Sequence, residues 1–133
     1  MAKRQIATDR VARTKGPYVQ GVAVTSCELV YTSGVVARNT AGKLIGEGDI
    51  RAQTRQCLEN IRNVIEAAGG QLSDLVKVTV FVRPGSDYAA MNEVRREVLH
   101  DIAFASSTIQ VALNEPAALI EIEAVAAVPL ERR

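Results

Sequence analysis

Between Phe104 and Val128 the chain reads as two strands of apolar/polar alternation, a pattern whose period of two suits a half-buried sheet and no helix. In the second strand Ile120, Ile122, Ala124 and Ala126 share one face, and Glu121 and Glu123 share the other. Two carboxylates aimed the same way need a polar cavity or a partner's polar surface. Left unpaired in an apolar interior they would cost several kcal/mol each. Chemistry is therefore expected around this closing strand.

The rest of the chain allows one ordinary core. Its 133 residues are read as a single domain, 1–133, with 47% hydrophobic and 23% charged residues. Sixteen basic residues stand against fifteen acidic ones, and no Lys/Arg block occurs, so neither nucleic acid nor a membrane is expected as a partner. The apolar runs are too short to span a bilayer and the opening residues form no signal segment, so the cytoplasm is the expected location. Cys27, Cys57 and the single histidine, His100, are too scattered for a zinc site, and no metal is expected. His100 reads as a surface or helix-end residue rather than the base of a nucleophilic triad. Cys57 reads as a small core residue, and Cys27 as an exposed one at a turn.

Residues 20–25 and 28–33 predict a β-hairpin around Ser26-Cys27, followed by a loop over 34–48. Asp49 is a good N-cap for a helix whose stripe is Ile50, Cys57, Leu58, Ile61, Val64, Ile65 and Ala68, ended by Gly69-Gly70. Leu75 to Val82 is a strand, with Val76, Val78, Val80 and Val82 on its core face. A second helix is capped by Ser86 or Asp87 and buries Tyr88, Met91, Val94, Val98 and Ile102. The order is β-β-α-β-α-β-β, an α+β fold with two helices packed on one face of a mixed sheet. The other face, with Lys77, Thr79, Phe81 and the two glutamates, is too apolar for free solvent and too polar for a dry core. Two readings follow: an oligomer with clefts between subunits, or a monomer with a solvated sheet face.

Specific residues now join this order. Gly16-Pro17-Tyr18 with Gln20, Thr32-Ser33-Gly34, Gln53 with Gln56 and Asn60, Val78-Thr-Val-Phe-Val, Tyr88-Ala-Ala-Met-Asn92 and Ile120-Glu-Ile-Glu-Ala124 fall in one register. Together they resemble the Rid family, the reactive intermediate deaminases, over nearly the whole chain. The resemblance implies a chorismate-mutase-like fold and a homotrimer whose sheets line a central barrel. It also implies small-molecule ligands in three intersubunit clefts, and hydrolysis of imines or enamines without metal or organic cofactor. Carried over, the cleft holds Tyr18, Ser33, Asn92 and Glu121, with Glu121 placed to activate the attacking water. One position departs from the family pattern. Where deaminases of the family read Pro-Ala-Arg-Ser, this chain reads Phe104-Ala105-Ser106-Ser107, so Ser106 replaces the arginine that grips a substrate carboxylate, and Thr108 stands where many members have cysteine. Losing two charge-assisted hydrogen bonds costs on the order of a hundredfold in binding or rate. Arg38 is a candidate replacement, as are Arg13 and Lys15 just before Tyr18.

The expected function is a cofactor-independent hydrolytic deaminase of a small imine or enamine, inefficient on ordinary 2-imino acids. Deaminases of aminomuconate-type ring-cleavage products, from the broader family, offer one model. The alternative is a protein that binds a small metabolite, or serves as a trimeric scaffold, without catalysis. In that reading Glu121 is a structural carboxylate. Ribonuclease activity, attributed to some relatives, ranks last: near-neutral charge and 4% aromatic residues give RNA little to hold.

Overall fold

A computed structural model describes residues 2–132. Eight regular elements follow one another: β1 (Ala2–Ile6), β2 (Gly21–Thr25), β3 (Cys27–Tyr31), α1 (Ile50–Ala67), β4 (Leu75–Val82), α2 (Tyr88–Val98), β5 (Ala105–Gln110) and β6 (Ile120–Pro129). Short 3-10 turns at Leu72–Asp74 and Leu130–Arg132 complete them. The main sheet has the order β3-β6-β4-β5, mixed because β4 and β5 run parallel, while β1 and β2 form a separate antiparallel pair. Among the described residues no helix is long and apolar enough to cross a membrane.

The expected α+β architecture is present, and β1 precedes the strands read from the sequence. The expected hairpin is not. β2 pairs with β1, and β3 pairs with β6, from Cys27↔Pro129 to Tyr31↔Val125. Between them Ser26 takes φ 53°, a left-handed corner that turns the chain out of one sheet and into the other. Its carbonyl accepts a bond from the Leu130 amide. Lys3 ties the small sheet down: its Nζ donates to the carbonyls of Ser73 (2.9 Å) and Leu75 (2.8 Å).

Both helices start where a carboxylate can cap them. Asp49 accepts from the Ala52 amide at 3.1 Å and Asp87 from Ala90 at 3.0 Å. On α1 the buried face is Gln53, Thr54, Cys57, Leu58, Ile61 and Ile65. Val64, expected on that stripe, is 41% exposed, because one helical step of about 100° before Ile65 carries it off the face. On α2 Met91 and Val94 are buried, whereas Tyr88 overhangs the first turn and is exposed; Ile102 lies beyond the helix, which ends at Val98. These faces pack on Val78, Val80, Val82, Ile120, Ile122 and Ala124 to form the core. Each large aliphatic side chain so buried contributes about 1.5–3 kcal/mol. A register irregularity between Leu75 and Lys77 lets Leu75 and Val78 both reach the core, so Val76, expected there, is only half-buried.

The segment 34–48 is more ordered than a plain loop. Val35 pairs with Ile122, exchanging bonds of 2.8 and 2.9 Å, and Arg38 bridges Leu44. Polar side chains of α1 hold it in place. Asn60 Nδ2 donates to the Arg38 carbonyl at 2.9 Å, and Gln53 Nε2 donates to the carbonyls of Gly46 and Ala117, both at 3.1 Å. Gln53 Oε1 accepts from Leu119 at 2.8 Å. One buried amide thereby joins α1, this segment and the entry to β6.

Candidate functional site

The register of β5 decides where its hydroxyls go. Ser106, Thr108 and Gln110 pair with Val78, Val80 and Val82, so they share the helix-covered face of the sheet at its edge. There they line an open cavity of about 480 Å³ with Tyr18, Ser86 and Tyr88. Tyr18 is brought in by the extended segment after Pro17, whose next residue donates its Val19 amide to the Phe104 carbonyl at 2.9 Å. Thr14 Oγ1 donates to the Tyr18 carbonyl at 2.8 Å. Ser86 Oγ is buried at the cavity with no hydrogen-bond partner.

Behind Ser106 lies a group the sequence reading missed. Arg95 on α2 is fully buried. Its Nε and Nη2 donate to Asn92 Oδ1 at 3.1 and 2.8 Å, and its Nη1 donates to Ser106 Oγ at 2.8 Å. Its guanidinium carbon is 5.8 Å from the centre of the Tyr18 ring and 5.9 Å from that of Phe104. Burial lowers its pKa, with Tyr88 and Tyr18 opposing that effect. An arginine starts so high that it stays charged at any ordinary pH. The helical spacing 88, 91, 92, 95 could have pointed to it: Arg95 stands one turn after Asn92 on the inward edge of the stripe. Asn92 is thus 5% exposed and faces Arg95; it does not line the cavity.

Glu121 is elsewhere. It pairs with Phe81, which in turn pairs with Ile109, on the sheet face opposite Ser106 and Thr108. Among the described residues its carboxylate has no hydrogen bond or ion pair, and it lies against Gly34. A methyl group added there would come within 2.3 Å of Glu121 Oε2. Ser33 beside it is exposed. Arg38 lines a second open cavity of about 490 Å³ with Gly34 and with Asn60 of α1. It is already engaged, donating to the Gly42 carbonyl at 3.0 Å and pairing with Glu115. Cys57 is buried nearby, its thiol 3.4 Å from the Val35 carbonyl; burial, then the charge of Glu121, push its pKa up to about 12. It is a core thiol, not a nucleophile. Within one protomer the sequence-derived residues therefore fall apart. Tyr18, Ser106 and Thr108 line one cavity, with Asn92 and Arg95 behind Ser106; Glu121 lies beside Gly34 on the other sheet face, and Arg38 lines a second cavity with Gly34. Among the described residues no cluster of His, Cys, Asp and Glu could hold a metal ion.

A family model described as Endoribonuclease L-PSP matches residues 8–128. The chain belongs to this family, the Rid proteins. Among curated relatives, this Rid protein is 40% identical over 126 residues to the 2-iminobutanoate/2-iminopropanoate deaminase of Salmonella typhimurium, covering 92% of the present chain and 96% of that protein. It is similar in structure to the Rid-family protein YyfB of Yersinia pestis, with a TM-score of 0.85 and 30% identity over 96% of this chain and 100% of that one. A second similar structure is TdcF of E. coli with bound serine, at TM-score 0.68 and 35% identity, covering 93% and 98% of the two chains. Deaminases thus stand among its relatives, and the α+β fold is shared with solved Rid structures.

Proposed function

We propose that this protein hydrolyses a small imine or enamine to a carbonyl compound and ammonia. The reaction takes place in clefts where the Glu121 edge of one copy meets the hydroxyl-lined pocket of the next, in a homotrimer. The observation that carries this reading is the Glu121 carboxylate. Among the described residues it has no hydrogen-bond or ion-pair partner, and it lies against Gly34 on a sheet surface that also exposes Leu29, Tyr31 and Ile109. A carboxylate in that setting suits a water on its open side. Glu121 takes a proton from the water while the oxygen adds to the imine carbon, and the C=N electron pair moves to nitrogen, which is protonated. The resulting carbinolamine collapses: the C–N bond breaks, ammonia leaves, and the C=O bond forms. An enamine first takes a proton on carbon to reach the imine. Tyr18, Ser33, Ser106 and Thr108 frame the substrate.

Two relatives support a ligand of this size and kind: the Salmonella protein carries the name of an iminobutanoate/iminopropanoate deaminase, and TdcF was crystallised with serine. A cavity of about 480 Å³ admits such a molecule. Ser106 offers a carboxylate one hydroxyl in place of a bidentate guanidinium, so ordinary 2-imino acids are expected to turn over on the order of a hundredfold less efficiently than in an arginine-bearing relative. A pocket that binds a metabolite without turning it over is the second reading, favoured by the engagement of Arg38 with Glu115.

The test generates imines in situ with an amino-acid oxidase from a panel of amino acids and follows keto acid and ammonia release. At least one imine should be hydrolysed above the uncatalysed rate, with a loss of about a hundredfold or more in Glu121→Gln. No acceleration across the panel, or full activity in Glu121→Gln, would overturn the hydrolytic reading.

A further inference from the structure

Arg95 is a buried cation without an anion. All three of its hydrogen bonds end on neutral oxygens, two on Asn92 Oδ1 and one on Ser106 Oγ, and none of the ion pairs among the described residues includes it. The rings of Tyr18 and Phe104 offset part of the cost. A guanidinium removed from water still lacks full compensation unless a negative charge arrives. Two of its contacts, Ser106 and Tyr18, line the 480 Å³ cavity.

We infer that Arg95, acting through Ser106, is the positioning residue that makes this pocket select an anionic ligand, a small carboxylate. The inference rests on the pocket named in the proposed function but not on turnover. Ser106 Oγ accepts from the guanidinium, which leaves its own O–H free to donate into the cavity with a cation directly behind it. Such a hydroxyl is a stronger donor than a serine in neutral surroundings. Ser86 Oγ, buried and unpartnered at the same cavity, supplies a second donor, and Thr108 a third. The positive charge that β5 lacks is supplied from α2, one layer deeper. Because the cation is enclosed and fixed by Asn92, added salt screens it little.

Binding of pyruvate and of its neutral amide, pyruvamide, to the intact protein tests this, read from shifts of the β5 backbone amides in an NMR titration. The wild type should prefer pyruvate by about tenfold or more. Arg95→Gln should bring the ratio of the two dissociation constants to about one, and Arg95→Lys should restore part of it. If Arg95→Gln does not fold, Ser106→Ala decides alone, since it leaves the cation in place and removes only the relay; it too should lose the preference. A wild type without preference for the carboxylate, or a preference intact in folded Arg95→Gln or in Ser106→Ala, would overturn the inference. Failure of hydrolysis with the preference present would sink only the enzymatic reading.

Discussion

Gly34 shows how little room surrounds the carboxylate of Glu121, on which the proposed hydrolysis depends. A side chain at this position meets the far end of a flexible glutamate rather than backbone, so the chain can accept it by moving Glu121 aside. Gly34→Ala should therefore change stability by no more than about 0.5 kcal/mol and yet lower imine hydrolysis by about tenfold or more, measured as melting temperature against turnover. Cys57 gives a second expectation at this scale. Its folded thiol is raised from the ordinary 9.0 to about 12 by burial and by Glu121. At neutral pH it should resist a thiol reagent that titrates the partly exposed Cys27, and should react only on unfolding. Between about pH 9 and 12 the unfolded chain loses this proton while the folded one keeps it, so its contribution to stability falls as pH rises through that window.

Among the elements, α1 holds the 34–48 segment and the entry to β6 through a buried amide as well as packing its apolar stripe on the sheet. Gln53→Leu strands the Leu119 amide and the carbonyls of Gly46 and Ala117. Chemical denaturation should show a loss of about 2–3 kcal/mol with an unchanged m-value. The extents of α1 and β4 were legible in the letters because local forces set them: Asp49 caps a 3.6-residue period, and β-branched residues crowd Leu75–Val82. The pairing of β2 and β3 was not legible. Alternation says which residues share a face, not which strand lies alongside, and the single residue Ser26 sends the chain to another sheet. The same limit hid Arg95. Its neighbour Arg96 is solvated, the two letters look alike, and only the packing of α2 against Phe104 and Tyr18 separates them. Conversely Tyr18, Ser106 and Thr108 were found by motif and do meet around one cavity, whereas Arg38, the candidate replacement for the missing arginine, is spent on Glu115.

For the whole molecule, Glu121 and the hydroxyl-lined cavity lie on opposite faces of one sheet, so the hydrolysis proposed above requires an assembly. Sedimentation should give three times the protomer mass of 14.3 kDa. Leu29→Glu on the exposed sheet face should dissociate it while leaving the circular dichroism of the fold intact. Co-refolding Glu121→Gln with Tyr18→Ala, each inactive alone, should recover about a quarter of the wild-type activity if neighbouring copies share each cleft, and none if each copy works alone. Replacing Ser106 with arginine is a poorer repair than the letters suggest, because a second guanidinium would stand against Arg95; Ser106→Arg should cost about 1–3 kcal/mol that Arg95→Gln in the same chain relieves. The enclosed guanidinium has one more consequence. A chain that keeps an uncompensated charge in its interior is holding folding energy in reserve for a guest, so exchanging Arg95 for methionine should yield a protein that survives greater heat and has lost its taste for acids.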